Sequence, residues 1–413
     1  MKPATLLLAA FLAVLASTLL LRWLNLRHLR RHGSHVPPEL EGVVEPERLE
    51  RIARYTVERS RLGTVELAVE NIVLGIFLFG GGLGAFDGWV AAHAPSFLGG
   101  GMLFFFLLFL AASVLRIPFE LVEHFQVEKR FGFNRMSTRL WLSDQVKSLL
   151  LGLAIGGLLV GGALVLVRWS PTWWWLWVWT FFLVVSVFLL YLSPVLIEPL
   201  FFKFEPLRVA GLEDAIRELL GRAGLVARRV FQVDASRRST HSNAYFTGLG
   251  RVKRIVLFDT LLQQMEPAEI LAVLAHEAGH WKLRHVLQRL VVTEALVLAV
   301  LYAAWLSLGA EWIPALVGLE QASFYSRALL LAVLGSLLAF PLTPLGSALS
   351  RRHEWQADRF AVALTRQPQD LASALAKLAR ENLQNLHPHP LYATFYFSHP
   401  PVVERLRRLQ ATS

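Results

Sequence analysis

The string His276-Glu277-Ala278-Gly279-His280 is the part of this 413-residue sequence that could most directly do chemistry. Residues four apart lie on one face of an α-helix, so both imidazoles could bind one metal ion. Glu277 stands beside the first histidine, where its carboxylate could take a proton from a water that the metal activates. Pro267 suits a first helical turn, and the apolar stripe after it predicts a helix through the motif. The spacing therefore predicts a hydrolytic zinc site with one ion per chain.

The third ligand must come from another part of the chain. A catalytic zinc site has three protein ligands and one open position, and the sequence contains no cysteine. Glu354, in RRHEWQADRFA, is the best candidate, and Asp358 one turn later could hold a ligating imidazole through its other ring nitrogen. His353 and His285 compete for the role, although His353 would face about 100° away from Glu354 on a helix. A solvated acidic face with its own ion pairs is the alternative for the two acids.

Composition indicates a membrane protein. Hydrophobic residues make up 54% of the chain and charged residues 17%. Apolar runs long enough to cross about 30 Å of hydrocarbon lie at residues 4–23, 66–84, 98–118, 149–168, 173–195, 286–308 and 326–349. Several acids lie in or near these runs, and carboxylates at such depth normally face protein or water. They are Glu66, Glu70, Glu120, Glu123 and Glu294.

The distribution of positive charge predicts how the chain crosses the membrane. The net charge is +10, and of 41 Lys and Arg residues 37 lie in one alternating set of loops and 2 in the other. By the positive-inside rule, the N-terminus lies outside, and the C-terminus and both metal-binding segments are cytoplasmic. Because the positive residues follow topology and do not form one basic face, we expect no nucleic-acid partner. The arginines that follow the first run favour a retained anchor over a cleaved signal peptide.

A polar insert separates the fifth and sixth runs. Residues 211–224 predict a short amphipathic helix, and RRVFQVDAS, SNAYFTGLG and KRIVLFDTLL predict strands. An exposed strand edge could hold an extended peptide beside the metal, with Asn243 and His241 on or near that edge. Ordinary turn chemistry is the alternative for both residues.

These boundaries divide the chain into four regions. Residues 1–199 form an N-terminal membrane region with five spans, and residues 200–284 form a cytoplasmic α+β peptidase insert that ends in the zinc helix. Residues 285–349 add two spans, and residues 350–413 form a cytoplasmic segment that completes the zinc site.

Several long segments resemble the type I CAAX prenyl proteases, which are integral-membrane zinc metalloendopeptidases with seven membrane helices. Besides HEAGHW, they are PFELVEHFQVEKRFGFNRMST, SPVLIEPLFFKFEPL, HSNAYFTGLGRVKRIVLFDTLL, RRHEWQADRFA and YFSHPPVVERLRRL. The resemblance covers nearly the whole chain. It implies a mainly α-helical fold, in which seven transmembrane helices form a hollow α-barrel around a water-filled chamber, with the small α+β insert on the cytoplasmic side.

The same resemblance implies roles for single residues. The residues that match the family's zinc ligands are His276, His280 and Glu354. Glu277 matches the general base, and Asp358 matches the acid that supports a ligand. Asn243 and His399 match positions that steady the substrate or the oxyanion.

The sequence thus predicts an integral-membrane zinc endopeptidase in contact with the lipid bilayer, cleaving a peptide or protein substrate near its C-terminus. The resemblance implies a prenylated, CAAX-like substrate. The Arg-rich, Lys-poor, cysteine-free composition is typical of a bacterial chain of the inner membrane. Since bacteria generally do not prenylate their own proteins, a membrane quality-control protease without CAAX specificity is the alternative. A transporter or non-catalytic chaperone would leave the metal-binding residues unexplained. We expect a monomer.

Overall fold

The structure is a computed structural model that describes residues 2–247 and 252–411. Its helices are α1 (Pro3–His32), α2 (Pro46–Phe79), α3 (Gly82–His93), α4 (Phe97–Val122), α5 (Thr138–Trp169), α6 (Trp174–Leu196), α7 (Glu198–Phe201), α8 (Leu212–Arg222), α9 (Asp259–Gln264), α10 (Pro267–Lys282), α11 (His285–Ser307), α12 (Trp312–Ala315), α13 (Phe324–Ala339), α14 (Thr343–Thr365), α15 (Pro368–Glu381), α16 (Pro390–Tyr396) and α17 (Val402–Gln410). Its strands are β1 (Phe204–Pro206), β2 (Val226–Val233), β3 (Ala244–Thr247) and β4 (Val252–Phe258). The last residues of the predicted strand SNAYFTGLG, 248–250, lie outside the described residues.

The predicted number of membrane spans is confirmed. Within the described residues, seven helical stretches are long and apolar enough to cross a membrane: Pro3–His32, Pro46–Phe79, Phe97–Glu128, Thr138–Trp169, Trp174–Phe201, His285–Ser307 and Phe324–Thr365. The most apolar window of each is only 6–17% buried. Helices packed on a solid core bury one face, whereas helices around an open interior expose their inner faces as well as their lipid faces. The low burial of these seven stretches is therefore what helices arranged as a hollow barrel would show.

The predicted end of the second span was wrong, and the helix of the last span continues beyond the predicted end of its apolar run. The second span was expected to run to residue 84, but α2 ends at Phe79 and Gly81 takes a φ of 82° before a separate helix, α3, begins. Glycine adopts this left-handed conformation without strain, so it permits the break. The last span was expected to end at residue 349, but a 3₁₀ turn at Phe340–Leu342 joins α13 to α14, which continues to Thr365. The HEWQAD segment is therefore an extension of the last membrane helix.

Acidic residues on the spans pair with arginines across neighbouring helices. Arg116 Nε on α4 lies 3.7 Å from Glu66 Oε1 and 3.8 Å from Glu70 Oε1 on α2. Arg59 on α2 donates to Glu123 Oε1 at 3.1 Å. Because charged groups avoid hydrocarbon, such pairs are expected to face protein or water and not the lipid tails.

The polar insert forms the predicted helix, and strands form within the three predicted strand segments. The DTLL end of KRIVLFDTLL was wrongly predicted as strand, because it begins helix α9, and strand β1 was not predicted. The sheet order is β1-β2-β4-β3 within the described residues, with β2 and β4 parallel and β3 antiparallel to β4. Strand β3 is therefore an edge strand. The chain leaves β4 through the short helix α9 and enters α10, so the sheet and the HEAGH helix are directly connected.

The largest buried hydrophobic cluster lies in this half of the molecule. It joins the sheet and α8 to α10, and includes Ile216, Ile255 and Leu274. The unpredicted helices α15 and α17 complete it with Leu375 and Leu406. The C-terminal segment therefore packs directly against the HEAGH helix.

Candidate metal centre

Helix α10 begins at a well-defined cap. Pro267 occupies the first turn, and Glu266 and Glu269 form a reciprocal capping box, in which Glu266 N donates to Glu269 Oε2 at 2.8 Å. Ten residues after the cap, His276 lies in the buried part of the helix. The cap therefore fixes where α10 begins, and with it the helix face on which His276 points into the core.

Gly279 allows α10 and α14 to approach each other closely. A Cβ atom at this position would lie 3.0 Å from Ala357 Cα and 3.2 Å from Phe360 Cβ, closer than side chains normally pack. The close approach of the two helices brings Glu354 beside both histidines of the motif. The glycine of HEAGH thus connects the motif to its distant third candidate ligand.

The three predicted ligands converge on one point. His276 Nε2 lies 3.1 Å from His280 Nε2 and 3.4 Å from Glu354 Oε2, and His280 Nε2 lies 3.3 Å from Glu354 Oε1. All three ligand atoms lie within 4.8 Å of one another, and no other set of His, Cys, Asp and Glu in the described part of the chain meets this condition. Two imidazole nitrogens and one carboxylate are donors that zinc prefers, with a fourth position open.

Asp358 orients His276 as expected. The His276 Nδ1–H group donates to Asp358 Oδ1 at 2.7 Å, which leaves the Nε2 lone pair directed at the convergence point. Arg405 also binds the aspartate, with Nε donating to Oδ2 at 2.9 Å and Nη2 to Oδ1 at 2.6 Å.

Arg405 was not predicted, although the sequence contains a signal for it. In VVERLRRL it occupies the helix face of Val402, Leu406 and Leu409, and all four residues are buried. A charged residue on an apolar stripe requires a buried partner, and here the partner is Asp358.

The electrostatics favour a bound cation. Burial alone would lower the pKa of His276, but the Asp358 and Glu354 carboxylates raise it to about 9. Glu354 Oε2 is buried and has no hydrogen-bond partner among the described residues. Its charged neighbours are His276 Nε2 at 3.4 Å and Arg405 Nη1 at 3.8 Å. A buried carboxylate oxygen that accepts no hydrogen bond is stabilised by a bound cation, so these residues fit a metal ion.

Glu277 and two predicted substrate-binding residues line a cavity of about 240 Å³ beside this point. Burial raises the pKa of the Glu277 carboxyl. His399 Nε2 lies 3.5 Å from Glu354 Oε1, and the His399 side chain is 61% exposed. Asn243 Oδ1 accepts from Ala244 N at 2.8 Å, and its side chain lies at the start of β3. The cavity therefore brings these three residues together, and their chemical roles stay predictions.

His241 does not line the cavity. Its Nδ1 lies 3.0 Å from Asn382 Oδ1 and its Nε2 lies 3.3 Å from Glu128 Oε2. Its ring also stacks on Phe133, with the centroids 4.2 Å apart. These contacts fix the turn before β3 and support a structural part for His241.

The two competing ligand candidates lie on the far side of His280 from the convergence point. His353 is buried and stacks on His285, with centroids 4.1 Å apart and planes at 5°. His285 Nδ1 lies 3.0 Å from His280 Nδ1. Neither ring joins the group formed by His276, His280 and Glu354.

Comparison with known proteins gives the family. Residues 25–203 match the family model described as CAAX prenyl protease N-terminal, five membrane helices, and residues 206–413 match Peptidase family M48. A CAAX prenyl protease 1 homolog of Arabidopsis thaliana is 33% identical over 398 residues, covering 91% of this chain and 90% of the relative. CAAX prenyl protease 1 of Saccharomyces cerevisiae is 35% identical over 351 residues, covering 78% of this chain and 75% of the relative.

The crystal structure of S. mikatae Ste24p superposes on this structure with a TM-score of 0.92, at 29% identity and over 99% of both chains. The fold and the multi-pass membrane region agree with these matches. The chain therefore belongs to peptidase family M48, as a multi-pass integral-membrane metalloprotease of the CAAX prenyl protease type.

Proposed function

We propose that the chain is a zinc-dependent endopeptidase that holds one Zn²⁺ between His276, His280 and Glu354. The observation that carries this proposal is the convergence of two imidazole nitrogens and a buried, unsatisfied carboxylate oxygen beside the Glu277 carboxyl. When bound there, zinc would supply a Lewis acid that lowers the pKa of a water molecule from 15.7 to about 7 and polarises the scissile carbonyl.

Glu277 is the general base in this proposal. Its carboxylate accepts a proton from the attacking water and returns it to the leaving amine nitrogen. Burial raises the pKa of Glu277 above that of an exposed glutamate, which brings it nearer to the working pH. A base whose pKa lies close to that pH can both take up and release a proton within one turnover.

His399 and Asn243 stabilise the oxyanion and the substrate. The His399 imidazole and the Asn243 amide can both donate hydrogen bonds into the cavity that Glu277 lines. Asp358 acts through His276, because its carboxylate fixes the tautomer that leaves Nε2 free.

The edge of β3 binds the peptide. Ser242, Asn243 and Ala244 line the cavity, and within the described residues β3 pairs with β4 on one side only. An extended substrate can add to the free side by backbone hydrogen bonds. Part of the cavity wall is apolar and suits aliphatic side chains; it includes Leu371, Leu375, Leu378 and Val402. Together with the names of the relatives, this wall supports cleavage near the C-terminus of membrane-associated or lipidated, CAAX-like proteins.

The site faces the cytoplasm and the chain acts as a monomer in this proposal. The 37-to-2 distribution of Lys and Arg supports an N-terminus outside and a cytoplasmic C-terminus. The cysteine-free, Arg-rich composition supports a bacterial inner membrane. That setting also favours a second candidate substrate class, which is membrane proteins removed by quality control without CAAX specificity.

Cleavage of matched peptides by the purified protein in lipid nanodiscs tests the proposal. Two peptides of one sequence, with and without a farnesylated cysteine, are compared before and after zinc is stripped and restored. We expect cleavage to disappear with the metal and to return with zinc. Equal kcat/KM for both peptides would favour the quality-control role, and cleavage that survives complete removal of zinc would refute the zinc mechanism.

A further inference from the structure

His280 has a polar surrounding that differs from that of His276. Its Nε2 is directed at the convergence point, 3.3 Å from Glu354 Oε1. For this nitrogen to carry a lone pair, the proton of a neutral imidazole must be on Nδ1. That N–H group needs an acceptor, and the atom within reach is His285 Nδ1, at 3.0 Å.

The acceptor role fixes the protonation of His285 in turn. If Nδ1 of His285 accepts, its own proton is on Nε2. His285 Nε2 lies 2.9 Å from Gln356 Oε1, a carbonyl oxygen that can only accept. The two hydrogen bonds therefore run in one direction, from His280 to His285 and from His285 to Gln356.

A backbone feature creates this contact. In a continuous helix, a residue five positions after His280 would point about 140° away from it. Arg284 instead adopts a φ of 59° and ψ of 32°, in the left-handed region, and separates α10 from α11. Residues other than glycine adopt this left-handed conformation at a cost of about 1–2 kcal/mol. The break between the two helices turns the His285 side chain toward His280, so that their Nδ1 atoms come within hydrogen-bond distance.

Helix α14 holds the second ring in place from a face next to the one that carries Glu354. His353 and Gln356 are three residues apart and so lie close together on that face. His353 stacks on His285 and Gln356 receives its hydrogen bond. His285 is only 1% exposed, so its orientation is determined by these contacts.

We infer that His285, fixed by Gln356, is the positioning residue for His280, as Asp358 is for His276. The inference rests on the proposed metal site and goes beyond it, because it assigns the two histidines partners of different charge. His276 is held by a carboxylate that is neutralised by Arg405, whereas His280 is held by a neutral imidazole and a neutral amide. One anionic and one neutral partner orient both ligands and add only one negative charge, which Arg405 balances.

Zinc affinity of the full-length protein, measured by chelator competition, tests the assignment. His285→Phe keeps the aromatic ring but removes the acceptor, and should weaken zinc binding by about 10–100-fold. His285→Asn keeps an oxygen near the position of Nδ1 and should restore most of that affinity. Gln356→Met should weaken binding and Gln356→Glu should preserve it. His387→Phe, a half-buried histidine outside the site, should bind zinc as the unchanged protein does.

A spectrum separates positioning from a general loss of structure. With Co²⁺ in place of zinc, His285→Phe should change the visible absorption of the metal, and His285→Asn should retain the wild-type bands. Wild-type affinity in His285→Phe, or equal losses in His285→Phe and His285→Asn, would overturn the inference. If the unchanged protein itself bound no zinc, the proposed metal site would fail, which is a different result.

Discussion

Removal of the buried Arg405–Asp358 pair, one partner at a time and then together, should separate stability from metal binding. Arg405→Met removes both hydrogen bonds from the guanidinium and leaves Asp358, 4% exposed, with the His276 imidazole as its remaining partner. Breaking a buried pair from one side costs about 3–5 kcal/mol. Asp358→Leu leaves the arginine with the more distant Glu354 carboxylate, 3.8 Å from its Nη1, and should cost a similar amount. The N–H group of His276 loses its acceptor at a further cost of about 1–3 kcal/mol.

The double variant should be more stable than either single variant. With both charges replaced by apolar side chains, the penalty for the pair largely disappears, and the unsatisfied His276 N–H leaves about 1–3 kcal/mol of destabilisation. The free energy of unfolding can be followed by SDS titration in mixed micelles, with chelator present so that bound metal does not contribute. Zinc affinity should not recover in the same way, because His276 lacks its carboxylate in the double variant. Two penalties that simply add, or a double variant with restored zinc affinity, would refute the role assigned to the pair.

Two further predictions concern the helix cap and the membrane topology. Glu269→Gln should destabilise the protein by about 1–3 kcal/mol at neutral pH, because the buried carboxylate accepts from Lys377 and Ser373. Burial alone would raise the pKa of Glu269, but those hydrogen bonds hold it below its ordinary value. The stability that the ionised carboxylate contributes is therefore lost as pH falls below about 4.3. A difference in unfolding free energy between Glu269→Gln and the unchanged protein that does not vary with pH would contradict this. Single cysteines at Asp214 and Glu320, in a chain without native cysteine, should react with impermeant reagents from the inside and outside respectively, and the reverse pattern would overturn the orientation.

The core of the site could be predicted because its chemistry constrains the sequence strongly. Four-residue spacing places His276 and His280 on one helix face whatever surrounds them, and the absence of cysteine limited the third ligand to His, Asp or Glu. Glu354 and Asp358 repeat the same spacing 78 residues after the first pair. The contact between the two helices depends on Gly279, whose role becomes visible only when Ala357 is packed against it.

Other features depend on backbone conformations and long-range packing that the sequence indicates poorly. The hydrogen bond from His280 to His285 requires a left-handed conformation at Arg284, and an arginine gives no sign of one. Hydropathy placed the end of the second span five residues late, because the helix break at Gly81 lies inside an apolar run. Arg405 was detectable as a charged residue on an apolar stripe, but its partner lies 47 residues earlier in the chain.

Zinc content and peptide cleavage, measured on the same samples of three proteins, test the central claim most directly. The unchanged chain should contain one zinc per chain and cleave the peptide. Glu277→Gln should retain the zinc and lose about 10²–10⁴-fold in turnover, whereas Glu354→Ala should lose the zinc itself. Near-normal cleavage by zinc-loaded Glu277→Gln, or full zinc occupancy in Glu354→Ala, would contradict the roles proposed for these residues.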